Sequence, residues 1–271
     1  VDGTCATSVL YLFLKALDAN VGFYIPKRLT EGYGISKQGI DLVKERGTSL
    51  LISVDCGITA IEEIDYANQL GMDVIICDHH KQKEKIQNAL AVLDPLKPNC
   101  NYPFKYLGVA GVAFKLAQGL AERLGKRDRP LEYLDLVALA SAADIVSLTD
   151  ENRVLVNEGI KLINESPRPA LEALIKASHL HPGDLSSTQI VFTIAPRINA
   201  VGRLGDAERA VELLISNDKE EAKELASILE TENYARRKID VDTFDAALKL
   251  VEDTLDFEND RAIILHQEEW H

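Results

Sequence analysis

Residues 73–80 read Asp-Val-Ile-Ile-Cys-Asp-His-His. The apolar run 74–77 is typical of a buried strand, and a carboxylate and two imidazoles follow where that strand would leave its sheet. Ligands of open α/β sheets bind at the carboxyl ends of the strands. Because Asp and His are ligands that Mn²⁺, Mg²⁺ and Zn²⁺ accept, this stretch predicts a parallel sheet with a metal site at its edge.

Two further segments place a carboxylate in a similar setting. The apolar run Leu50–Val54 is followed by Asp55 and then by Cys56 and Gly57, and Asp2 lies ahead of a helical pattern at the start of the chain. One tripeptide would be weak evidence for a metal site. The recurrence of carboxylates at such positions strengthens that interpretation.

The order of patterns along the chain predicts an α/β fold. In the first two-fifths, short apolar strands alternate with helices, which favours a parallel sheet with right-handed crossovers and helices on both faces. The predicted strands are 21–25, 50–54, 74–77 and 91–93, and the predicted helices between them are 6–19, 37–45 and 61–70. From residue 108 the pattern is mostly helical, with helices predicted at 109–124, 131–143, 151–164, 169–177 and 206–215.

The chain divides into three predicted parts. Residues 1–217 form an α/β domain whose portion 108–217 is mostly helical, and residues 218–256 form a long connecting helix of about 50 Å. Residues 257–271, with a predicted strand at 261–265, begin a second domain. Because the chain starts and ends inside motifs, we interpret it as part of a longer protein with a truncated first motif.

Composition argues against several classes of protein. The formal net charge of −13 and the pI near 5.0 argue against a protein that coats nucleic acid, but not against an enzyme whose bound cations add positive charge locally. The apolar runs are far shorter than the roughly 20 residues of a membrane span. Cys5, Cys56, Cys77 and Cys100 form no Cys-x-x-Cys pair, which favours free thiols in a reducing cytoplasm.

In this order, the motifs resemble those of the DHH phosphoesterase superfamily. The blocks are Val1-Asp2-Gly3-Thr4, Val54-Asp55-Cys56-Gly57-Ile58-Thr59, Asp78-His79-His80 and Ala140-Ser141-Ala142-Ala143-Asp144. Within the superfamily, 31–34 (Glu-Gly-Tyr-Gly), 108–115 (Gly-Val-Ala-Gly-Val-Ala-Phe-Lys) and 196–205 (Pro-Arg-Ile-Asn-Ala-Val-Gly-Arg-Leu-Gly) are similar to the RecJ single-strand DNA exonucleases. The resemblance covers essentially the whole chain. It also implies a metal-binding aspartate before Val1 and a DHH-associated domain after His271.

The resemblance implies a hydrolase that degrades single-stranded DNA from 5′ to 3′ in DNA repair and recombination. It implies two divalent cations, Mn²⁺ or Mg²⁺, with a bridging water as nucleophile. The implied metal ligands are Asp2, Asp55, His79 and Asp144, with Asp55 between the ions. The implied catalytic residues are Asp55, His79, His80 and Asp78. In this scheme His80 does not easily reach the same metal as His79 and instead donates to the scissile phosphate, and Asp78 orients an imidazole.

The resemblance also implies a set of contacts to nucleic acid. Arg side chains can bind phosphate oxygens bidentately, glycines let a backbone approach closely, and an aromatic ring can stack on a base. The implied contact residues are Tyr33, Gly108, Gly111, Arg197, Asn199 and Arg203. The implied partners are single-stranded DNA, a single-strand-binding protein and a helicase, and the protein is expected to be a cytoplasmic monomer without a membrane partner.

The residues taken one at a time leave simpler roles open. The 78–80 stretch could be a helix N-cap with exposed histidines, Asp55 an Asx turn, Asp144 a salt-bridge partner and Asp2 a solvated side chain. Arg197 and Arg203 could pair with carboxylates of the same chain, and Tyr33 could pack within its loop.

Two other functions share parts of the pattern. A nano-RNase, cyclic-dinucleotide phosphodiesterase or pyrophosphatase would use the same metal core without the 31–34 block, the 196–205 block or the long connector. A non-catalytic scaffold that binds replication proteins would keep the fold, but we expect it to have lost at least one of Asp55, His79, His80 and Asp144.

Overall fold

The computed structural model describes residues 1–82, 88–204, 206–255, 259–267 and 270, without the side chains of Arg28, Leu29, Arg203 and Leu204. Within these residues the strands are β1 (Leu50–Val54), β2 (Asp73–Cys77) and β3 (Ala91–Leu93). The helices are α1 (Asp2–Lys15), α2 (Arg28–Glu31), α3 (Lys37–Glu45), α4 (Ile61–Gln69), α5 (Val109–Arg123), α6 (Leu134–Ala143), α7 (Asp150–Glu165), α8 (Pro169–Ala177), α9 (Ser187–Gln189), α10 (Ala195–Leu204), α11 (Glu208–Ile215) and α12 (Lys219–Thr254). A 3₁₀ turn covers Arg129–Tyr133 and a π-helical turn covers Ile190–Ile194.

The three strands form a parallel sheet in the order β1-β2-β3. Val54 is paired with Cys77 and Cys77 with Leu93, so all three strands end at the same level. The ladder continues for one residue, because Asp55 N donates to Cys77 O at 3.1 Å and Asp78 N donates to Leu93 O at 3.0 Å. The side chains that follow the strands therefore leave the sheet next to one another.

Alternate residues of β2 face two different layers of helices. Val74 and Ile76 are buried in a cluster with residues of α3 and α4. Cys77 on the opposite face belongs to the main core, which α1, α5 and the later helices form, and Ile75 packs against that core. This alternation follows from the two-residue period of a strand. The predicted α/β fold, with a parallel sheet and helices on both faces, is confirmed.

The helical portion packs around close approaches of helices. At Gly159 in α7, an added Cβ would lie 2.1 Å from the carbonyl oxygen of Leu134 and 2.4 Å from the Cβ of Ala138, so α6 and α7 can meet only because the residue is glycine. The buried residues of α12 are Ala222, Ala226, Leu229 and Asn233, all in its first half. The 36-residue helix therefore packs on the domain with one half and extends beyond that packing with the other.

Two predicted strands are not found. Residues 21–25 and 261–265 have no regular secondary structure in the described part of the chain. Instead of joining the sheet, Phe23 packs edge-on against Tyr11 and Tyr24 Oη donates to Glu31 at 2.6 Å. Ile264 is 92% exposed, so no second sheet face covers it here. The apolar runs were recognised correctly, but a strand also needs a neighbour with which to pair.

Some of the remaining predictions about organisation were incomplete, and others stay predictions. Residues 187–204, for which no element was predicted, are helical over α9, the π-helical turn and α10. The long helix predicted near the end of the chain is observed as α12, while its role as a connector at 218–256 and the second domain from 257 onward stay predictions. Among the described residues, no helix has both the length and the apolar character that crossing a membrane requires.

Candidate metal centre and active site

Asp55 begins the site at the end of β1. Its backbone adopts φ +63°, a region that residues other than glycine seldom adopt and that is often retained at functional sites. The N–H of Gly3 donates to Asp55 Oδ2 at 3.2 Å. A Cβ on Gly3 would lie 3.0 Å from both Cβ and Oδ2 of Asp55, so glycine is what lets α1 approach this carboxylate closely.

Asp2 enters the site from the first turn of α1. Its side chain is buried, and its two carboxylate oxygens accept hydrogen bonds from the N–H groups of Val109 and Ala110, both at 3.1 Å. These N–H groups belong to the first turn of α5, where a helix has backbone donors without partners and favours negative charge. The simpler interpretation of Asp2 as a solvated side chain is therefore wrong.

Three carboxylates meet at one nitrogen of His79. His79 Nε2 lies 3.5 Å from Asp55 Oδ1, 4.0 Å from Asp2 Oδ2 and 3.9 Å from Asp144 Oδ2. Asp144 follows α6, and its Oδ2 is buried without a hydrogen-bond partner. Four residues that are far apart in the sequence thus form one cluster at the carboxyl edge of the sheet.

Crowding of negative charge changes the acidity of the cluster. Burial, together with the nearby charges of Asp55 and Asp144, raises the pKa of Asp2 to about 7. Burial alone would lower the pKa of His79, but its hydrogen bond to Asp55 and the charges of Asp2 and Asp144 outweigh this effect and raise the pKa to about 9. Carboxylates and imidazole at such distances are a donor set that suits divalent cations.

The donor atoms form two overlapping groups. Ligand atoms of Asp2, His79 and Asp144 all lie within 4.8 Å of one another, and so do those of Asp55, His79 and His80. The first group contains three of the four ligands that the motifs implied. The second group includes His80 together with His79, although the resemblance implied that His80 does not easily reach the same metal as His79. The unpartnered oxygen of Asp144 and the raised pKa of Asp2 fit a site that is built around cations.

Asp78 lies behind the cluster and holds the loop that carries both histidines. Its Oδ1 accepts hydrogen bonds from the N–H groups of His79 at 2.8 Å and His80 at 3.2 Å, and it lies 2.7 Å from Nδ1 of His80. Its Oδ2 accepts from the N–H of Ile58 at 3.0 Å, and the side chain is fully buried. These bonds fix the ring of His80, which itself is 59% exposed.

The residues expected to contact nucleic acid are not all at the surface. Tyr33 is 83% exposed and Asn199 is exposed. Arg197 is buried, forms an ion pair with Glu230 and donates to the carbonyl of Thr193 at 2.6 Å. This environment matches the alternative of an intramolecular pair. The side chain of Arg203 lies outside the described residues.

The two glycines expected at the nucleic-acid interface are buried. Gly108 precedes α5, and a Cβ there would lie 3.7 Å from Asp2 Oδ2. A Cβ on Gly111 would lie 2.7 Å from Leu107 Cδ1. Gly108 thus leaves room near the Asp2 carboxylate and Gly111 leaves room for Leu107, which favours a role in packing over a direct contact with DNA.

One strand-end carboxylate was missed by the sequence analysis. Asp94 follows β3 directly, just as Asp55 follows β1 and Asp78 follows β2. It is buried, its Oδ1 accepts from the N–H of Leu96 at 2.7 Å, and its Oδ2 has no hydrogen-bond partner. Burial raises its pKa. The sequence did indicate this position, because Asp94 directly follows the apolar run 91–93.

Comparison with known families identifies the fold. The family model described as "DHH family, N-terminal domain" matches residues 1–141 of the 271. This chain belongs to the DHH family. The motifs that suggested membership, including the Asp-His-His triplet at 78–80, thus led to the correct family.

Relatives of this DHH chain are exonucleases by name. The single-stranded-DNA-specific exonuclease RecJ of Bacillus subtilis is 44% identical over 251 residues, which is 93% of this chain and 31% of the relative. RecJ of Escherichia coli is 33% identical over 100% of this chain and 49% of its own length. The DHH chain therefore spans about a third to a half of the length of these curated relatives.

Solved structures agree with the fold of this DHH chain. A crystal structure of exonuclease RecJ bound to manganese superposes with a TM-score of 0.83 at 37% identity, over 94% of this chain and 63% of the other. RecJ of Thermus thermophilus in complex with Mn²⁺ gives a TM-score of 0.79 at 35% identity, over 93% and 36% of the two chains. The same protein in complex with Mg²⁺ gives 0.67.

Proposed function

We propose that the chain is the catalytic core of a metal-dependent exonuclease that hydrolyses single-stranded DNA from the 5′ end, as RecJ enzymes do. The observation that carries the proposal is the convergence of Asp2, Asp55 and Asp144 on Nε2 of His79. Support comes from relatives named single-stranded-DNA-specific exonucleases and from similar structures that contain Mn²⁺ or Mg²⁺.

Two divalent cations, Mn²⁺ or Mg²⁺, are the cofactors in this proposal. Their ligands are Asp2, Asp55, His79 and Asp144. By the family resemblance, Asp55 would be the ligand common to both ions; in the structure it adjoins the first turn of α1 through Gly3 and lies with His79 and His80 in one donor group. When bound, such ions make water a nucleophile at neutral pH and neutralise charge on the phosphate. The hydrogen bonds from α5 to Asp2 hold that carboxylate in place before any ion binds.

His80 is the proposed donor to the scissile phosphate. Its Nδ1 is engaged by Asp78, which leaves Nε2 for the substrate. Because Asp78 is fixed by three backbone N–H groups, the His80 ring has one preferred orientation. A donor that is held in place before reaction stabilises charge that develops on phosphate without first having to reorganise. Asp78 thus acts through His80 and not on the substrate.

The contacts to DNA in this proposal are at exposed positions. Tyr33 and Asn199 are exposed and are the proposed contacts to a base and to the backbone, and Arg203 is proposed from the family resemblance alone. A single-strand-binding protein and a helicase as partners, a monomeric state, the cytoplasm, and a role in repair and recombination also rest on that resemblance.

A labelled-oligonucleotide assay tests the function. The protein at its natural length is incubated with Mn²⁺ and a 5′-labelled single strand, alongside a matched duplex and a labelled dinucleotide. Immediate release of labelled mononucleotide from the single strand, with the duplex intact, is the expected result. A parallel reaction uses the same strand labelled at its 3′ end; immediate release of the 3′ label, while the 5′ label stays on long products, would reverse the proposed polarity.

The dinucleotide distinguishes the nearest alternative. A nano-RNase or cyclic-dinucleotide phosphodiesterase would use the same metal residues, and the burial of Arg197 against Glu230 fits an enzyme that has no need of that arginine for a long strand. Cleavage of the dinucleotide alone would move the assignment to this class. Absence of Mn²⁺ binding by calorimetry would instead favour a non-catalytic scaffold.

A further inference from the structure

A pocket of about 350 Å³ adjoins the metal centre. On one side it is lined by His79, His80 and Asp144. The rest of its lining comes from Leu96 and from two segments, 105–107 and 145–147. Pockets for small ligands range from roughly 300 to 1,000 Å³, so this one has room for a single nucleotide and not for a duplex. None of the residues outside the metal centre was predicted to bind anything.

Lys105 gives this pocket a fixed positive charge. Its Nζ donates to the carbonyl oxygens of Pro95 at 3.0 Å and Cys100 at 2.6 Å. A lysine ammonium has three donors, so two hold the side chain in place and one is left for a ligand. In a chain with a net charge of −13, a cation fixed beside the metal centre is a specific attraction for phosphate.

Tyr106 supplies an aromatic surface beside that charge. Its side chain is 64% exposed, and its ring packs edge-on against Phe104 with the centroids 6.1 Å apart. An exposed ring that packs against a neighbouring ring is a platform on which a base can stack. Ile145, the residue after Asp144, is fully exposed on the other segment and adds apolar surface to the same pocket.

A buried asparagine ties the two segments together. Asn152 is fully buried, and its Nδ2 donates to the carbonyl oxygens of Tyr106 at 2.7 Å and Ser147 at 2.9 Å. Both carbonyls belong to residues that line the pocket, one on each segment. The relative position of the two segments is therefore set by one side chain before any ligand arrives, which reduces the ordering cost of binding.

We propose that this pocket is a nucleotide subsite in which Tyr106 stacks on the base and Lys105 binds a phosphate oxygen. It lies against His80 and Asp144, so the nucleotide it holds is adjacent to the bond that is cut. This inference rests on the proposed function, whose substrate subsite it specifies. Asn152 is a positioning residue, since it acts through the backbone of Tyr106 and Ser147.

Binding of two small probes tests the subsite without any turnover. Calorimetry in Mn²⁺ buffer compares deoxyadenosine monophosphate with deoxyribose 5-phosphate, which has the same phosphate and no base. Tyr106→Ala is expected to weaken the first ligand about tenfold and to leave the second unchanged, because stacking acts only on the base. Tyr106→Trp is expected to restore the affinity for the nucleotide.

Matched variants separate stacking from other effects. Lys105→Gln is expected to weaken both probes by a similar factor, because both carry the phosphate. Phe244→Ala removes a ring of similar exposure, 67%, from the second half of α12 outside the pocket, and is expected to change neither affinity. The exposed side chain of Tyr106 makes its removal compatible with folding, which the unchanged binding of the sugar phosphate would verify.

Several results would overturn the subsite. They are equal effects of Tyr106→Ala on both probes, no effect on either, or no binding of the nucleotide by the unaltered protein. Failure of the exonuclease proposal looks different. If the protein binds deoxyadenosine monophosphate through Tyr106 but degrades no single-stranded DNA, the subsite is supported and the exonuclease proposal is wrong. If the protein degrades single-stranded DNA but binds the nucleotide independently of Tyr106, the exonuclease proposal is supported and the subsite is wrong.

Discussion

The carboxyl edge of the sheet and helix α10 were both expected to carry functional side chains, and the fold uses them differently. At the sheet edge, Asp2, Asp55 and Asp144 reach one nitrogen of His79 within 4.0 Å. Along α10, Arg197 turns into the protein towards Glu230 while Asn199, two residues on, is exposed. One region gathers distant residues, and the other separates near neighbours.

The difference follows from the geometry of the two elements. Parallel strands that end at one level place the following residues side by side, whatever their separation in sequence. A helix turns each residue by about 100°, so residues two apart face in opposite directions. A motif at strand ends therefore predicts a site more reliably than a motif of the same length within a helix.

The largest expected effect lies at the sheet edge. If Asp55 is a ligand of the proposed metal pair, Asp55→Asn is expected to lower the proposed nuclease activity by at least about 10³-fold and to abolish most of the Mn²⁺ binding heat, because such a ligand supports several kcal/mol of transition-state stabilisation. Activity assays and calorimetry measure the two effects. Asp184→Asn, in an exposed loop, is the control and is expected to change neither. Full Mn²⁺ binding by Asp55→Asn would contradict the proposal that the side chains at the carboxyl edge of the sheet form the metal site.

The next prediction concerns the helix. Arg197→Ala is expected to lower the free energy of unfolding by about 2 kcal/mol, because it removes a buried side chain and its ion pair, while the partly exposed Glu230 is then screened by water. Urea denaturation measures this change, and Arg237→Ala at an exposed position of α12 is the control, with an expected change below about 0.5 kcal/mol. If Arg197→Ala keeps its stability but binds DNA more weakly and with a smaller salt dependence, the arginine is a phosphate contact after all.

Metal binding at the sheet edge is expected to release protons. The pKa of Asp2 is raised to about 7 and that of His79 to about 9, so both groups hold protons at lower pH that a metal must displace. Mn²⁺ affinity is expected to rise about tenfold per pH unit between about pH 7 and 9, where His79 alone loses its proton, and more steeply below. Calorimetry in buffers of different ionisation enthalpy counts the protons. An affinity independent of pH would contradict the ligand assignment.

The smallest expected effect tests the close approach of α1 to the site. In Gly3→Ala the new Cβ would lie 3.0 Å from Asp55 Oδ2, so the carboxylate must shift and Mn²⁺ affinity is expected to fall about tenfold. Gly119→Ala in α5 is the matched control. A Cβ there meets nothing within 4 Å, so it is expected to leave Mn²⁺ affinity unchanged and to stabilise the fold by up to about 1 kcal/mol. Equal Mn²⁺ affinities of the two variants would show that the close approach of α1 to Asp55 does not affect metal binding.

Sequence patterns predicted local features of this chain better than features that depend on contacts between distant residues. The strands at 50–54, 74–77 and 91–93 were predicted because local apolar runs report burial, and the runs at 21–25 and 261–265 failed because pairing is not a local property. Asp94 could have been found by applying the strand-end argument a third time. Lys105 and Asn152 could not, because their roles depend on backbone carbonyls that only the fold brings near them.

The sequence by itself determined the sheet, the family and the identity of the residues that surround His79, because periodicity and ordered motifs are properties of the chain. The tertiary structure decided which of those residues meet and which turn away. It seated Asp2 on the first turn of α5, buried Arg197 against Glu230 and joined the two pocket segments through Asn152. The physical reason is that hydrogen bonds and ion pairs depend on distances in space, and residues far apart in the chain acquire those distances only when helices and strands pack.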